Sequence, residues 1–397
     1  MLPLVGAAAP AAHHSPWVGT WAAAQVELAG ADELQFRDMS GVTLRELLRT
    51  TIGGPRIRLH VSNTFGREPL VIADAAIAIA VSAGSSRINP STEHWVTFNG
   101  RRAAAIPPGA EYVSDPIPIK VAPLTTLAVS IHFASLPKRQ TGHPSSRATS
   151  YSTPGDEVTA TELSGARTSE RWYFLGGADV ERTRTYAIAV LGDSITDGHG
   201  VVANTDTRWT DYLAERLAKT SPTAVLNLGI GGNRLLDDGV GPNAVARLDR
   251  DILSRDGVRY LIVFEGVNDL GMLTRDGPVS PQQHLAIVQQ MIAGYAQIIA
   301  RAHNLGIKVI GATITPFGFS AYCHPDRLSE ADRRELNDWI RARGNFDAVL
   351  DFDSMLRDPS HPDRLRHEFD SGDGLHPSGA GYRFMGYGVP LSLFSED

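Results

Sequence analysis

The chain has 397 residues, 42% hydrophobic and 20% charged, which is globular and long enough for two domains with separate cores. A formal net charge of −7 with basic residues scattered rather than clustered excludes the electrostatic footprint of a nucleic-acid partner. No apolar run reaches the roughly 18 residues that a membrane span needs, and one cysteine, Cys323, can make neither an internal disulfide nor a zinc cluster and reads as a small packing residue.

Residues 1–16 are expected to be a tail or the remnant of a signal peptide. Met1 to Ala12 is small and apolar like the end of an export signal but has no charged n-region. On that basis the expected location is secreted or periplasmic, with the cytoplasm as the alternative. From 17 to 150 the texture is that of half-buried strands: Ile57, Leu59 and Val61 alternate with Arg56, Arg58 and His60, and Leu127, Val129, Ile131 and Phe133 keep the same period of two. Turns recur at Gly53-Gly54-Pro55 and Ile106-Pro107-Pro108-Gly109, so an antiparallel β-sandwich or jelly roll is expected. Residues 151–184 are polar and turn-rich apart from Trp172-Tyr173-Phe174-Leu175 and read as the connection, with that cluster packed between domains or in a core.

From 185 to 397 strand and helix patterns alternate. Ala187-Ile188-Ala189-Val190-Leu191 and Tyr260-Leu261-Ile262-Val263-Phe264 are continuous apolar runs of the kind found in buried parallel strands. Lys308 to Thr313 and Ala348 to Phe352 supply later strands. Trp209, Tyr212, Leu213 and Leu217 mark one helical face. Ser280-Pro281-Gln282-Gln283 reads as an N-cap, a proline at the first helical position and a capping box, followed by a stripe from Leu285 through Val288, Met291, Tyr295 and Ile299 to a stop near Gly306. Arg333-Arg334 and Arg341-x-Arg343 read as the solvated face of a helix. The fold class that follows is α/β, a three-layer α/β/α sandwich around a parallel sheet, preceded by the antiparallel β domain.

The chemistry is concentrated at strand ends. Gly192-Asp193-Ser194-Ile195-Thr196 places a serine where a parallel strand stops, the edge at which open α/β sheets bind ligands. A serine hydroxyl is a weak nucleophile without a base and an orienting acid, and Asp373-Gly374-Leu375-His376-Pro377 offers both. Asn227-Leu228-Gly229-Ile230-Gly231-Gly232-Asn233 and Glu265-Gly266-Val267-Asn268-Asp269 supply what an oxyanion needs, approachable backbone N–H groups and a neutral amide donor. Asp193, Asp197 and Asp269 read as turn formers.

Four such blocks in this order resemble the SGNH hydrolases, also called the GDSL esterase and lipase family, over roughly Tyr186 to Tyr387. The resemblance implies Ser194 as nucleophile, His376 as general base and Asp373 as its orienter, with Ser194, Gly232 and Asn268 forming the oxyanion hole. Alignment of the asparagine-led block selects Gly232, while Gly229 and Gly231 stay open as the donor. Gly19-Thr20-Trp21 resembles the opening of the two-domain, xylan-esterase-like members of that family, whose extra β domain would bind carbohydrate or wall the active-site cleft.

Other signatures fail. There is no Gly-x-Ser-x-Gly elbow and no P-loop, and the loose glycine patterns Gly198 to Ala203 and Gly239 to Ala244 lack the strand-turn-helix setting of a dinucleotide site. Thirteen histidines include no His-Glu-x-x-His, and His13-His14 reads as solvated, so neither metal nor cofactor is expected. The functional expectation is a serine esterase acting on a small-molecule or carbohydrate ester, with short acyl or acetyl groups favoured. Lipase, arylesterase or thioesterase activity, or a noncatalytic carbohydrate-binding protein on a hydrolase scaffold, are the alternatives.

Overall fold

The computed structural model describes residues 15–34 and 41–394. The expected tail, apart from Ser15 and Pro16, and the pair His13-His14 therefore lie outside the described residues. Among the described residues no helix is long and apolar enough to cross a membrane.

The first half is antiparallel. One sheet has the order β1 (Trp17–Ala22), β14 (Leu175–Glu181), β4 (Ile57–Ser62), β8 (Glu111–Val113). A second runs β12 (Arg167–Ser169), β11 (Ser150–Pro154), β3 (Val42–Arg49), β9 (Thr126–Ser135), β5 (Leu70–Ile79), β6 (His94–Trp95), with β7 (Ala104–Ile106) also on β5. A third joins β13 (Trp172–Tyr173), β10 (Gln140–His143) and β2 (Val26–Leu28). The alternation read at 57–61 and 127–133 comes from β4 and β9, whose apolar positions are buried.

The stretch 151–184 is not a connection. It contributes four strands, and β14 lies between β1 and β4, pairing Ala178 with both Trp21 and Leu59. Its glycines hid it: the register slips between Leu175 and Gly177, a bulge that breaks the alternation a sequence pattern relies on. Trp172 sits in the core, edge-on to Trp21 with ring centroids 4.9 Å apart, and its indole N–H donates to the Leu47 carbonyl at 2.9 Å.

The second half holds a parallel sheet of order β16 (Ala224–Gly229), β15 (Ala187–Gly192), β17 (Val258–Phe264), β18 (Lys308–Ala312), β19 (Ala348–Leu350). Helices α1 (Ser194–Asp197), α2 (Trp209–Thr220), α3 (Ala244–Leu248), α4 (Val267–Thr274), α5 (Pro281–His303), α6 (Arg327–Arg341), α7 (Phe352–Leu356) and α8 (Gly379–Gly388) complete it. α2 packs with α8, and α5 with α3, α4 and α6, giving the three-layer α/β/α arrangement. The chain leaves β15 for β16 on one side and then crosses back to β17 on the other. The carboxyl end of β15 is therefore the topological switch point, the place at which open α/β sheets bind ligands.

Local signals act as expected in α5. Ser280 Oγ accepts from the Gln283 N–H, and Gln283 Oε1 accepts in return from the Ser280 N–H at 3.0 Å. Two burial assignments do not hold. Leu285 is exposed, one turn before the stripe reaches the core, and Arg333 is buried, donating to Asp353 at 2.7 Å, to Glu330, and to the Ile314 carbonyl at 3.0 Å. Cys323 is buried, and a Cβ on Gly271 would lie 2.4 Å from its sulfur, as expected of a packing residue.

Candidate functional site

β15 is buried throughout, and its end releases the chain into a single helical turn, α1. Asp193 caps that turn, its Oδ1 accepting the Ile195 N–H at 2.8 Å, and Gly198 ends it with φ +88°. Ser194 is thereby held at the first helical position directly above the sheet. Its Oγ lies 2.8 Å from Nε2 of His376, and His376 Nδ1 lies 2.6 Å from Asp373 Oδ2. The Asp373-to-His376 loop is locked on itself, because Asp373 Oδ1 also accepts the backbone N–H groups of Leu375 and His376 at 2.9 and 2.8 Å. Acid and base are one rigid unit.

The glycine block follows β16. The three glycines left open by the sequence differ in what occupies their N–H groups. That of Gly229 donates to Asn227 Oδ1 at 3.0 Å, and that of Gly231 to Asp197 Oδ2 at 3.1 Å. Among the described residues the N–H of Gly232 has no partner, and its φ of +74° suits glycine. Gly229 is a packing glycine, since a Cβ there would lie 2.5 Å from the Asp197 nitrogen.

Asn268 follows β17 in the first turn of α4. Its amide donates one hydrogen to the Asn233 carbonyl at 2.9 Å, and the next residue, Asp269, accepts the N–H groups of Leu235 and Leu236 at 2.7 and 3.0 Å. The first turn of α4 thus grips the loop that carries Gly232. The structure brings Ser194, Gly232, Asn268, His376 and Asp373 to one edge of the sheet; Asp193 bonds local backbone as expected, whereas Asp269 is no turn former but ties α4 to the distant N–H groups of Leu235 and Leu236.

Three contributors escaped the sequence reading. Arg247 is fully buried beneath the site and donates to Asn233 Oδ1 (2.9 Å), the Leu228 carbonyl (2.7 Å) and the Gly192 carbonyl (3.1 Å), tying the ends of β15 and β16 to the glycine block. The only signal was a charge in a short apolar helix. His199 stacks on His376 with ring centroids 3.9 Å apart. His143, from the antiparallel region, places Nε2 2.9 Å from Asp197 Oδ1 and Nδ1 2.9 Å from the Ala24 carbonyl. Asp197 is therefore more than a turn former: it ends the Ser194 helix, holds the Gly231 N–H and meets the other half of the molecule.

Burial is the largest influence on the His376 imidazole and lowers its pKa from the usual 6.5. Asp373 opposes that, and the charges of His199 and Arg147 reinforce it. Asp373, bonded to the imidazole, is held down at about 2 although burial acts upward on it. Burial pushes Asp193 and Glu265 up, aided for Asp193 by the charges of Asp269 and Asp197 and for Glu265 by those of Asp193 and Asp269.

Two groups have ligand-type atoms close together. In His199, Asp373 and His376, both imidazole nitrogens of His376 already face Ser194 and Asp373. In His60, Asp179 and Asp256, His60 bonds Asp179 at 2.7 Å and Glu111 at 2.9 Å. Burial pulls His60 down, but these carboxylates outweigh it and raise the pKa to about 9, so it is an imidazolium in an ion-pair network. A cavity of about 60 Å³ between the two halves is lined by His143, Trp172, Asp197 and Arg208, but not by Ser194 or His376.

Residues 190–384 match the GDSL-like Lipase/Acylhydrolase family. No curated protein matches the chain. Solved structures that resemble it include an acetyl xylan esterase, AlAXEase, at 23% identity and TM-score 0.39, covering 51% of this chain and 96% of that one. TesA is similar at 21% identity and TM-score 0.38, covering 51% and 94%. A GDSL-like lipase (BT0569) from Bacteroides thetaiotaomicron VPI-5482 is similar at 19% identity and TM-score 0.37, covering 51% and 84%. Residues 190–384 thus form a GDSL-like lipase/acylhydrolase domain.

Proposed function

We propose that this protein hydrolyses carboxylic esters by two-step acyl transfer from Ser194. The observation that carries the reading is the Ser194–His376–Asp373 relay, with contacts of 2.8 and 2.6 Å, set beside the unpartnered N–H of Gly232. His376, with its pKa below 6.5, is neutral at pH 7 and accepts the Ser194 proton as Oγ attacks the ester carbonyl. Asp373 fixes the tautomer with the proton on Nδ1 and stabilises the imidazolium that forms. The developing oxyanion is met by the N–H groups of Ser194 and Gly232 and the second amide hydrogen of Asn268. His376 then protonates the departing alcohol, and water repeats the cycle on the acyl-enzyme.

The finer reading is short acyl groups, acetyl above all, on a carbohydrate or other small alcohol. Its support is the sequence, in which no long apolar segment is available to line a lipid tunnel. For the antiparallel region, the contacts of His143 with Asp197 favour a wall of the active site over an independent binding module.

The test is hydrolysis of p-nitrophenyl esters from acetate to decanoate, and of acetylated xylan, by wild type and a folded Ser194→Ala variant. Turnover that falls by about six orders of magnitude in the variant is expected, with the chain-length profile choosing between acetyl esterase and lipase. Activity that survives Ser194→Ala assigns the wrong nucleophile. A wild type inert on every member, yet retained by xylan, turns the reading to carbohydrate binding.

A further inference from the structure

Of the donors read for the oxyanion, those of Ser194 and Gly232 are main chain, and only the Asn268 amide sits on a side chain that can rotate. Its two hydrogens lie in one plane and diverge, so fixing one aims the other. A half-turn about Cβ–Cγ exchanges Nδ2 with Oδ1 and would turn a lone pair, rather than an N–H, towards a developing negative charge. The one bond that Asn268 Nδ2 makes among the described residues runs to the Asn233 carbonyl at 2.9 Å. A carbonyl only accepts, so the half-turned amide would set two oxygens against each other. The Asn233 carbonyl therefore selects which end of the Asn268 amide points where.

That carbonyl needs an anchor, because it follows Gly231-Gly232, with Gly232 at φ +74°. Asn233 supplies the anchor itself. It is 0% exposed, and each of its polar atoms is engaged. Its N–H donates to the Ile230 carbonyl at 3.0 Å, Oδ1 accepts from Arg247 Nε at 2.9 Å, and Nδ2 donates to the Pro242 carbonyl at 2.9 Å. Arg247 is held in turn by the Leu228 and Gly192 carbonyls. Only a side chain that both accepts and donates meets these two neighbours, which an aspartate or an aliphatic residue would not. A continuous set of bonds thus runs from Gly192, two residues before the nucleophile, through Arg247 and Asn233 to the amide of Asn268. Asn227, at the head of the same block, behaves differently: its side chain bonds Gly229, Thr196 and Thr210 and stops short of Asn268.

We propose that Asn233 is a positioning residue of the oxyanion hole, whose carbonyl turns the Asn268 amide so that an N–H meets the developing charge. This inference rests on the esterase reading above.

The test is a double-mutant cycle on the hydrolysis of p-nitrophenyl acetate. Asn233→Ala should lower kcat by about tenfold or more with KM within about twofold. In an Asn268→Ala background the same substitution should lower kcat by about threefold at most, because the amide that it aims is gone. Asn233→Ser, whose hydroxyl still accepts from Arg247, should restore part of kcat. Asn227→Ala is the control, with the same cost in both backgrounds. Equal factors for Asn233→Ala in the two backgrounds, or a loss confined to KM, overturn the proposal. A second readout is the pair of ¹H–¹⁵N signals from the Asn268 side-chain amide, identified by their disappearance in Asn268→Ala. Asn233→Ala should move this pair, and Asn227→Ala should leave it in place. If wild type hydrolyses no ester, the esterase reading is what fails, and the signals decide the geometry: a pair that Asn233→Ala moves sustains the positioning role, and an unmoved pair refutes it. Should Asn233→Ala not fold, Asn233→Ser supplies both the cycle and the signals.

Discussion

The two halves of this molecule meet the same crevice in different ways. In the parallel half, Ser194, Gly232 and Asn268 follow three adjacent strands, β15, β16 and β17, so the sheet itself aims them at one point. The antiparallel half has no such convergence, because successive strands run in opposite directions and their ends alternate between two edges. It reaches α1 through the segment His143 to Thr149, whose side chains and carbonyls dock on α1 and the loop behind it. Reacting groups are thus aimed by topology, while supporting groups are placed by packing between the halves. Substitutions should separate the two: those at strand ends should slow the reaction without unfolding the chain, and those in the docking segment should affect both.

The largest separation is expected at Asp373. Asp373→Asn keeps an oxygen for the N–H groups of Leu375 and His376 but presents an amide to Nδ1, which selects the wrong tautomer. kcat should fall by about 10⁴-fold with the urea midpoint unchanged, and a matched loss of stability would show that the loop depends on the charge for its fold. Next comes Asn268→Ala, which removes an oxyanion donor and should cost about 2.7–4 kcal/mol of barrier in kcat with KM little changed. A smaller kinetic effect with a larger stability effect is expected at His143. His143→Ala leaves the buried Asp197 carboxylate without its partner, a change that costs roughly 3 kcal/mol where a buried pair is broken, and frees the Gly231–Gly232 turn that Asp197 holds. The thermal midpoint and kcat should fall together, and a double-mutant cycle with Asp197→Asn should show coupling of about 0.5–3 kcal/mol. If His143→Ala leaves kcat intact, the antiparallel half is independent of the chemistry.

This division also explains what could be read from the sequence. Ser194, Asp373 and His376 announce themselves because each stands in a short local motif beside a strand or turn whose pattern is legible. Gly232 could be narrowed to three candidates but not isolated, since the distinction lies in which N–H groups Asn227 and Asp197 already occupy, a tertiary fact. His143 carries no local mark: its meaning arises from contact with Asp197, 54 positions later, fixed only when the halves pack. Residues 151–184 misled for a related reason. Strands β11 to β13 are short and β14 is interrupted by Gly176-Gly177, so the sequence shows turn chemistry while the pairing that makes β11 and β14 strands comes from β3 and from β1 and β4. Arg333 reverses the usual rule that charge marks the surface, because Asp353, Glu330 and two carbonyls satisfy it inside.

The smallest effect, a shift in pH dependence, tests the balance at the point where the halves meet. Burial lowers the His376 pKa, so the neutral base persists below pH 6.5 and the acid limb of kcat/KM should lie under that value, with activity lost as pH falls through it. Two substitutions should move the limb in opposite directions. Asp373→Asn removes the charge that favours the imidazolium, so the limb of its residual activity moves further down. His199→Ala removes a neighbour that disfavours it, so the limb moves up, while the bond from Tyr382 to the His199 carbonyl survives because it is main chain. A wild-type limb above 6.5 would mean that the Asp373 charge outweighs burial. A limb that His199→Ala leaves in place would mean that the stacked ring is a steric wall of the cleft and adds nothing to its electrostatics.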